Sequence, residues 1–143
     1  MQGSFFQSVH YLVSMKNFVN TLAFKRACAI GWFVLIILGS SIPGKDIPHI
    51  FKLTPDKVIH GCEYLVFGFF IRLWLSTQFD FKNKTYLTLA VILLGSFCGM
   101  VDELYQHLTP NRTPDFYDWC TDFVAITLSN LIFNFWENSS VKK

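Results

Sequence analysis

The sequence predicts an all-α integral membrane four-helix bundle with its N-terminus and C-terminus cytoplasmic, and three observations carry that prediction. Apolar residues make up 52% of the chain and charged residues only 15%, respectively above and below the shares of an ordinary soluble domain. Sixteen Phe fall within 143 residues, more than a soluble core of that size conceals, whereas lipid solvates them. Four apolar segments are separated by short polar stretches. The length is that of one domain, divided into an N-terminal segment (1–23), a membrane domain (24–136) and a polar C-terminal tail (137–143). The net charge is +2, and no Lys/Arg run interleaved with aromatics is present, which excludes nucleic acid as a partner. Membrane lipids are the expected surroundings.

Residues 1–20 mix FF, VHYLV and FVNTL with polar residues, and two readings stand: an interfacial amphipathic helix or an extension of the first span. Lys25 and Arg26 precede ACAIGWFVLIILGSSI, which resembles a signal peptide with a small-residue site at Gly39 to Ser41. It starts too far from the N-terminus and further spans follow, so it reads as an uncleaved first transmembrane helix. After the Pro/Gly-punctuated loop Ile42 to Pro55, Thr54-Pro55-Asp56 is a helix start, with Thr as N-cap and Pro in the first turn. The second helix runs to about Ser76, with Arg72 placed to snorkel and Trp74 suited to the interface. The third, TYLTLAVILLGSFCGMV, carries Gly95 and Gly99 in a GxxxG arrangement that permits close approach. Thr113-Pro114-Asp115 repeats the start signal, and the fourth span runs to about Trp136, with Trp119 and Trp136 as interfacial anchors. Cys28, Cys62, Cys98 and Cys120 lack metal-ligand spacing and read as small buried residues. A Cys62–Cys120 disulfide is the alternative.

Four spans place Lys16, Lys25, Arg26, Arg72, Lys82, Lys84, Lys142 and Lys143 on one side, and Lys45, Lys52, Lys57 and Arg112 on the other. That asymmetry makes the first side cytoplasmic. Three polar clusters distant in sequence then meet at the outer face: Asp56 to Tyr64, Asp102 to His107, and Arg112 to Asp122. Two helix N-termini point there as well, with Lys57 and Arg112 adding positive charge, so an anionic ligand such as a lipid-linked phosphate is expected.

The polar pattern is itself informative. Asp56, Lys57, His60 and Tyr64 form DKxxHxxxY; Asp102, Glu103 and Gln106 form DExxQ; Pro110 and Arg112 form PxR; Asp118 and Asp122 form DxxxD. In order, spacing and placement at span ends this resembles the VanZ-like family of small membrane proteins, over roughly residues 30–135. The chain departs from that pattern at Asn111 and Ala125, where the family often has Gly. The resemblance implies a membrane fold and a bacterial cell-envelope setting, the founding member being associated with resistance to the glycopeptide teicoplanin.

The plain reading of these residues is interhelical pairing, with Lys57 and Arg112 neutralising Asp102, Glu103, Asp118 or Asp122 while Gln106 and Tyr64 satisfy remaining donors. Four carboxylates and a His exceed what two bases need. A binding site built from Lys57, His60, Tyr64, Gln106 and Arg112 is therefore expected, and the family resemblance implies an anionic lipid-linked cell-wall precursor or a glycopeptide response as its setting. The alternative is a membrane enzyme acting on a lipid phosphate, its candidate acids, bases and ligands being His60, Asp102, Glu103, Asp118 and Asp122. His60 and Glu63 share neighbouring parts of one helix face. Asp118 and Asp122, at i, i+4, have the geometry to hold Mg²⁺ or Ca²⁺ with Asp102 or Glu103. No metal is assigned, no cofactor is expected, and no HExxH, Walker or Gly-x-Ser-x-Gly motif is present.

Overall fold

The computed structural model describes residues 15, 17–46 and 56–140. Most of the N-terminal segment, the Thr54-Pro55 helix start, His49 and the end of the polar tail lie outside the described residues. The fold is all-α: α1 (Leu22–Ser40), a 3-10 turn (Gly44–Asp46), α2 (Asp56–Gln78), α3 (Lys84–Gln106) and α4 (Phe116–Ser140).

Local chemistry sets the helix starts. Thr21 is extended and its hydroxyl accepts the Phe24 amide at 3.2 Å, an N-cap that brings Lys25 and Arg26 inside the helix. Asn83 does the same for α3 through the Tyr86 amide at 3.0 Å. At α4 the cap is Asp115, whose Oδ1 accepts the Tyr117 amide at 2.8 Å. The expected cap at Thr113 is thus displaced by two residues. A carboxylate reaches the amide two residues on directly, and Pro114 stays outside the first turn.

Among the described residues three helices are long and apolar enough to cross a membrane, α1, α2 from Lys57 and α3, with mean hydropathies of 1.8, 1.4 and 1.8. The fourth is long enough at 25 residues, but Asp118, Asp122, Ser129, Asn130 and Asn134 dilute it. Those polar residues do not face outwards. Asp118, Asp122, Ser129 and Asn130 are buried, whereas Val124, Leu128, Leu131, Ile132 and Phe135 are exposed, an inside-out distribution that suits an apolar solvent.

Successive helices run antiparallel. At one end Lys25 Nζ donates to Thr77 Oγ1 at 3.0 Å and Lys84 Nζ to Asn138 Oδ1 at 3.1 Å. At the other, Gln106 Nε2 meets Ser40 Oγ at 3.3 Å and Lys57 Nζ meets Asp115 at 2.8 Å. α2 packs against all three other long helices, while α1 touches α2 and α3 but not α4 among the described residues. The core between them is Ile36, Tyr64, Phe67, Ile71, Val91 and Ile126 with their neighbours.

Small residues let α4 sit close. A Cβ added at Gly95 would lie 2.7 Å from Ile126 Cδ1, and one at Gly68 would meet the Ser129 hydroxyl and, at 3.2 Å, the Ile126 backbone. The GxxxG pattern therefore marks a real helix contact, with Gly68 as a second one on α2. The cysteines depart from expectation: none is buried, Cys62 is exposed, and all four are unbridged. On outward helix faces a thiol serves as a small apolar group. Trp74, expected at the interface, packs partly buried against the core instead.

Candidate functional site

The end where α1 and α3 finish and α2 and α4 begin gathers the polar residues. On α2, His60 and Tyr64 are one turn apart with rings parallel to within 2°, His60 being 3% and Tyr64 0% exposed. From α3 come Asp102, Glu103 and Gln106, and from α4 Asp118 and Asp122, all buried. The closeness of Asp122 depends on Gly99, where a Cβ would lie 3.1 Å from Asp122 Oδ2.

At its centre His60 Nδ1 lies 3.2 Å from Asp122 Oδ1 and 3.9 Å from Glu103 Oε1. Ligand-capable atoms of His60, Glu103 and Asp122 all fall within 4.8 Å of one another. Glu103 is oriented by its other oxygen, which accepts the Asp115 amide at 2.9 Å. Several buried polar atoms here make no close hydrogen bond among the described residues: both oxygens of Asp102, Glu103 Oε1, Asp122 Oδ2 and the Tyr64 hydroxyl, although the Ser40, Gln106 and Tyr64 side chains face Asp102. Leaving such a group unmade costs about 1–3 kcal/mol, more when it is charged. A cluster serving only to lock helices together would pair them.

The rim is paired. Lys57 Nζ lies 2.8 Å from both Asp115 and Asp118, so it neutralises the opening of α4. The Lys57 ammonium, helped by the Tyr117 amide, holds the Asp115 carboxyl below the usual aspartate range. Arg112 forms no ion pair with Asp102, Glu103, Asp118 or Asp122 among the described residues, although its charge acts on the nearby Glu63 carboxyl. It donates to the backbone carbonyls of Ile42 at 3.3 Å and Gly39 at 3.4 Å, capping the end of α1. Gln106 donates to Ser40 at 3.3 Å and also faces Asp102. Glu63 does not join the His60, Glu103 and Asp122 group. Asn111, where Gly was the comparison, adopts φ 57°, a left-handed turn that Asn tolerates.

Sequence reasoning missed a second polar centre at the opposite end. Arg72 does not snorkel. It is 1% exposed, donates to Asn130 at 3.0 Å and Asn134 at 2.7 Å, and reaches Glu137 at 3.4 Å. Its guanidinium also lies 4.7 Å from the centre of the Phe133 ring. The signal was present in α4, where Asp118, Asp122, Asn130 and Asn134 recur at multiples of four along a stripe that winds slowly round the helix on its inward side.

No family model, curated protein or solved structure matches this chain. Among the described residues, fold and site define an all-α arrangement with three helices long and apolar enough to span a membrane and a buried imidazole–carboxylate cluster at one end of the helices.

Proposed function

We propose that the chain is a VanZ-like four-span membrane protein of the bacterial envelope, with both termini cytoplasmic, whose outer-face cluster binds the head group of an anionic lipid-linked cell-wall precursor. One observation carries the reading: Tyr64, Asp102, Glu103 and Asp122 present, at a single end of the helices, buried polar atoms that make no close hydrogen bond among the described residues. Carboxylate oxygens there accept hydroxyl and amide hydrogens of a head group, and the Tyr64 hydroxyl supplies a donor. The inward polar stripe and apolar outer face of α4 support its being the fourth span. The antiparallel order, with Lys25 and Lys84 at one end and Lys57 and Arg112 at the other, supports the orientation.

Arg112 and Lys57 enter this reading differently from their first assignment as ligand-binding cations. Arg112 holds the end of α1, and Lys57 closes the rim through Asp115 and Asp118. Native mass spectrometry of the detergent-solubilised protein with a polyprenyl phosphate, and with phosphatidylglycerol for comparison, tests the proposal. Selective retention of the polyprenyl phosphate, lost in Asp102→Asn and His60→Ala, is expected. Equal retention of both lipids, or retention unchanged in the variants, contradicts it.

A lipid phosphate hydrolase is the second reading, favoured by the His60–Asp122 contact at 3.2 Å, in which the carboxylate orients an imidazole for proton transfer. Phosphate release from the same lipid, abolished in Asp122→Asn, would move the assignment from binding to catalysis. No release leaves binding as the function.

A further inference from the structure

We propose that His60, Glu103 and Asp122 hold one divalent transition-metal ion between α2, α3 and α4. The three donors come from three helices, so each is placed by tertiary packing and not by local spacing. They are 3%, 7% and 0% exposed, and Glu103 Oε1 and Asp122 Oδ2 have no hydrogen-bond partner among the described residues. Metal–ligand bonds of about 2.1 Å set neighbouring donor atoms about 3.0–3.5 Å apart. The His60 Nδ1 separation of 3.2 Å from Asp122 lies inside that range, and the 3.9 Å from Glu103 exceeds its upper end by a few tenths of an ångström. All three donors lie within 4.8 Å of one another, and a modest inward shift of the Glu103 side chain brings it towards bonding range.

Charge argues the same way. Two ionised carboxylates against one imidazole carry more negative charge than the ring offsets, and a dication neutralises it without either carboxyl taking a proton. An imidazole nitrogen with two carboxylates suits Zn²⁺ or Mn²⁺ better than Mg²⁺ or Ca²⁺, which prefer all-oxygen shells. The amide of Asp115, bonded to the second Glu103 oxygen at 2.9 Å, orients that ligand as outer-shell partners do. On loading, the metal takes the Nδ1 lone pair, any proton held between Nδ1 and Asp122 leaves to solvent, and the neutral imidazole carries its hydrogen on Nε2.

Three protein ligands leave a coordination position open. That position is where a phosphate oxygen of a head group binds, a statement that rests on the proposed lipid function, whereas the metal site itself does not. It also explains how an acidic cluster accepts an anion.

The test uses the full-length, tag-free protein in detergent, stripped with EDTA and dialysed against Zn²⁺ or Mn²⁺ alone, with bound metal measured by mass spectrometry. About one ion per chain is expected, with affinity falling at least about tenfold in Glu103→Gln and in Asp122→Asn and unchanged in Glu137→Gln at the far end. X-ray absorption at the metal edge should show a first shell of nitrogen and oxygen containing one imidazole, a readout on the unaltered protein that does not depend on variants folding. A shell without imidazole, or metal content unaffected by both substitutions, overturns the site. Retention of a polyprenyl phosphate measured in parallel separates the two ideas: metal bound without lipid selectivity defeats the head-group reading alone, and lipid selectivity in metal-free protein whose metal binding fails defeats the metal site alone.

Discussion

Lys57 holds two carboxylates at the same distance, 2.8 Å, yet they are unlike: the Asp115 side chain is 41% exposed and that of Asp118 only 6%. Water screens the first contact and hardly touches the second. The Asp115 carboxyl lies below the ordinary aspartate value of 3.8 because Lys57 and the Tyr117 amide favour its charged form. A carboxyl depressed on folding stabilises the fold above its unfolded value and loses that contribution as pH falls through the folded one. The difference in thermal midpoint between wild type and Asp115→Asn should therefore be flat from neutral pH to about 5 and shrink only below 3.8; a difference that vanished near pH 6 would mean another group governs the rim. Individual partners at this scale were only partly legible in the sequence. Lys57 was recognisable as the neutraliser of an α4 acid, but Arg112 was not recognisable as a helix cap. Its partners are backbone carbonyls of Gly39 and Ile42, which side-chain chemistry does not announce.

At the scale of the element, α4 organises the interior. Its four-residue stripe runs from the Asp118 and Asp122 end to Asn130 and Asn134, where it meets Arg72. The sequence shows that stripe but not which way it turns. An arginine four to six residues from a helix end reads equally as a snorkelling group or as a buried one, and only the asparagines of another helix decide. Replacing Arg72 by Met keeps the bulk and removes the donors to Asn130 and Asn134, and it should cost about 2 kcal/mol, read as an earlier unfolding transition in detergent. A stability equal to wild type would mean that Arg72 reaches water after all. The GxxxG pair was legible for the complementary reason: without a side chain, Gly95 and Gly99 permit little other than close approach, and Ile126 and Asp122 provide it.

For the whole molecule, the order of helices and the meeting of distant clusters at one end followed from counting apolar segments, since antiparallel neighbours joined by short connections alternate ends. The unpartnered oxygens did not follow, because burial without a partner is a property of three helices at once. Sidedness is testable with the native cysteines replaced, a change the fold should accept since none of the four is buried. Thr113→Cys should react with an impermeant maleimide in intact cells and Lys82→Cys only after permeabilisation. The reverse pattern would invert the proposed orientation.

The central claim is that the cluster around His60 is built to receive something and is not a lock. The direct measurement is the thermal midpoint of the EDTA-stripped protein carrying Asp102→Asn. Asp102 is 0% exposed and the polar side chains that face it, Ser40, Gln106 and Tyr64, are neutral, so an amide in its place relieves the burial of a carboxylate and can still accept from them. The midpoint should rise, by the equivalent of about 1–3 kcal/mol, while Asp118→Asn, which breaks the buried partner of Lys57, lowers it. A fall in Asp102→Asn comparable to that in Asp118→Asn would make the cluster a structural lock and contradict the account.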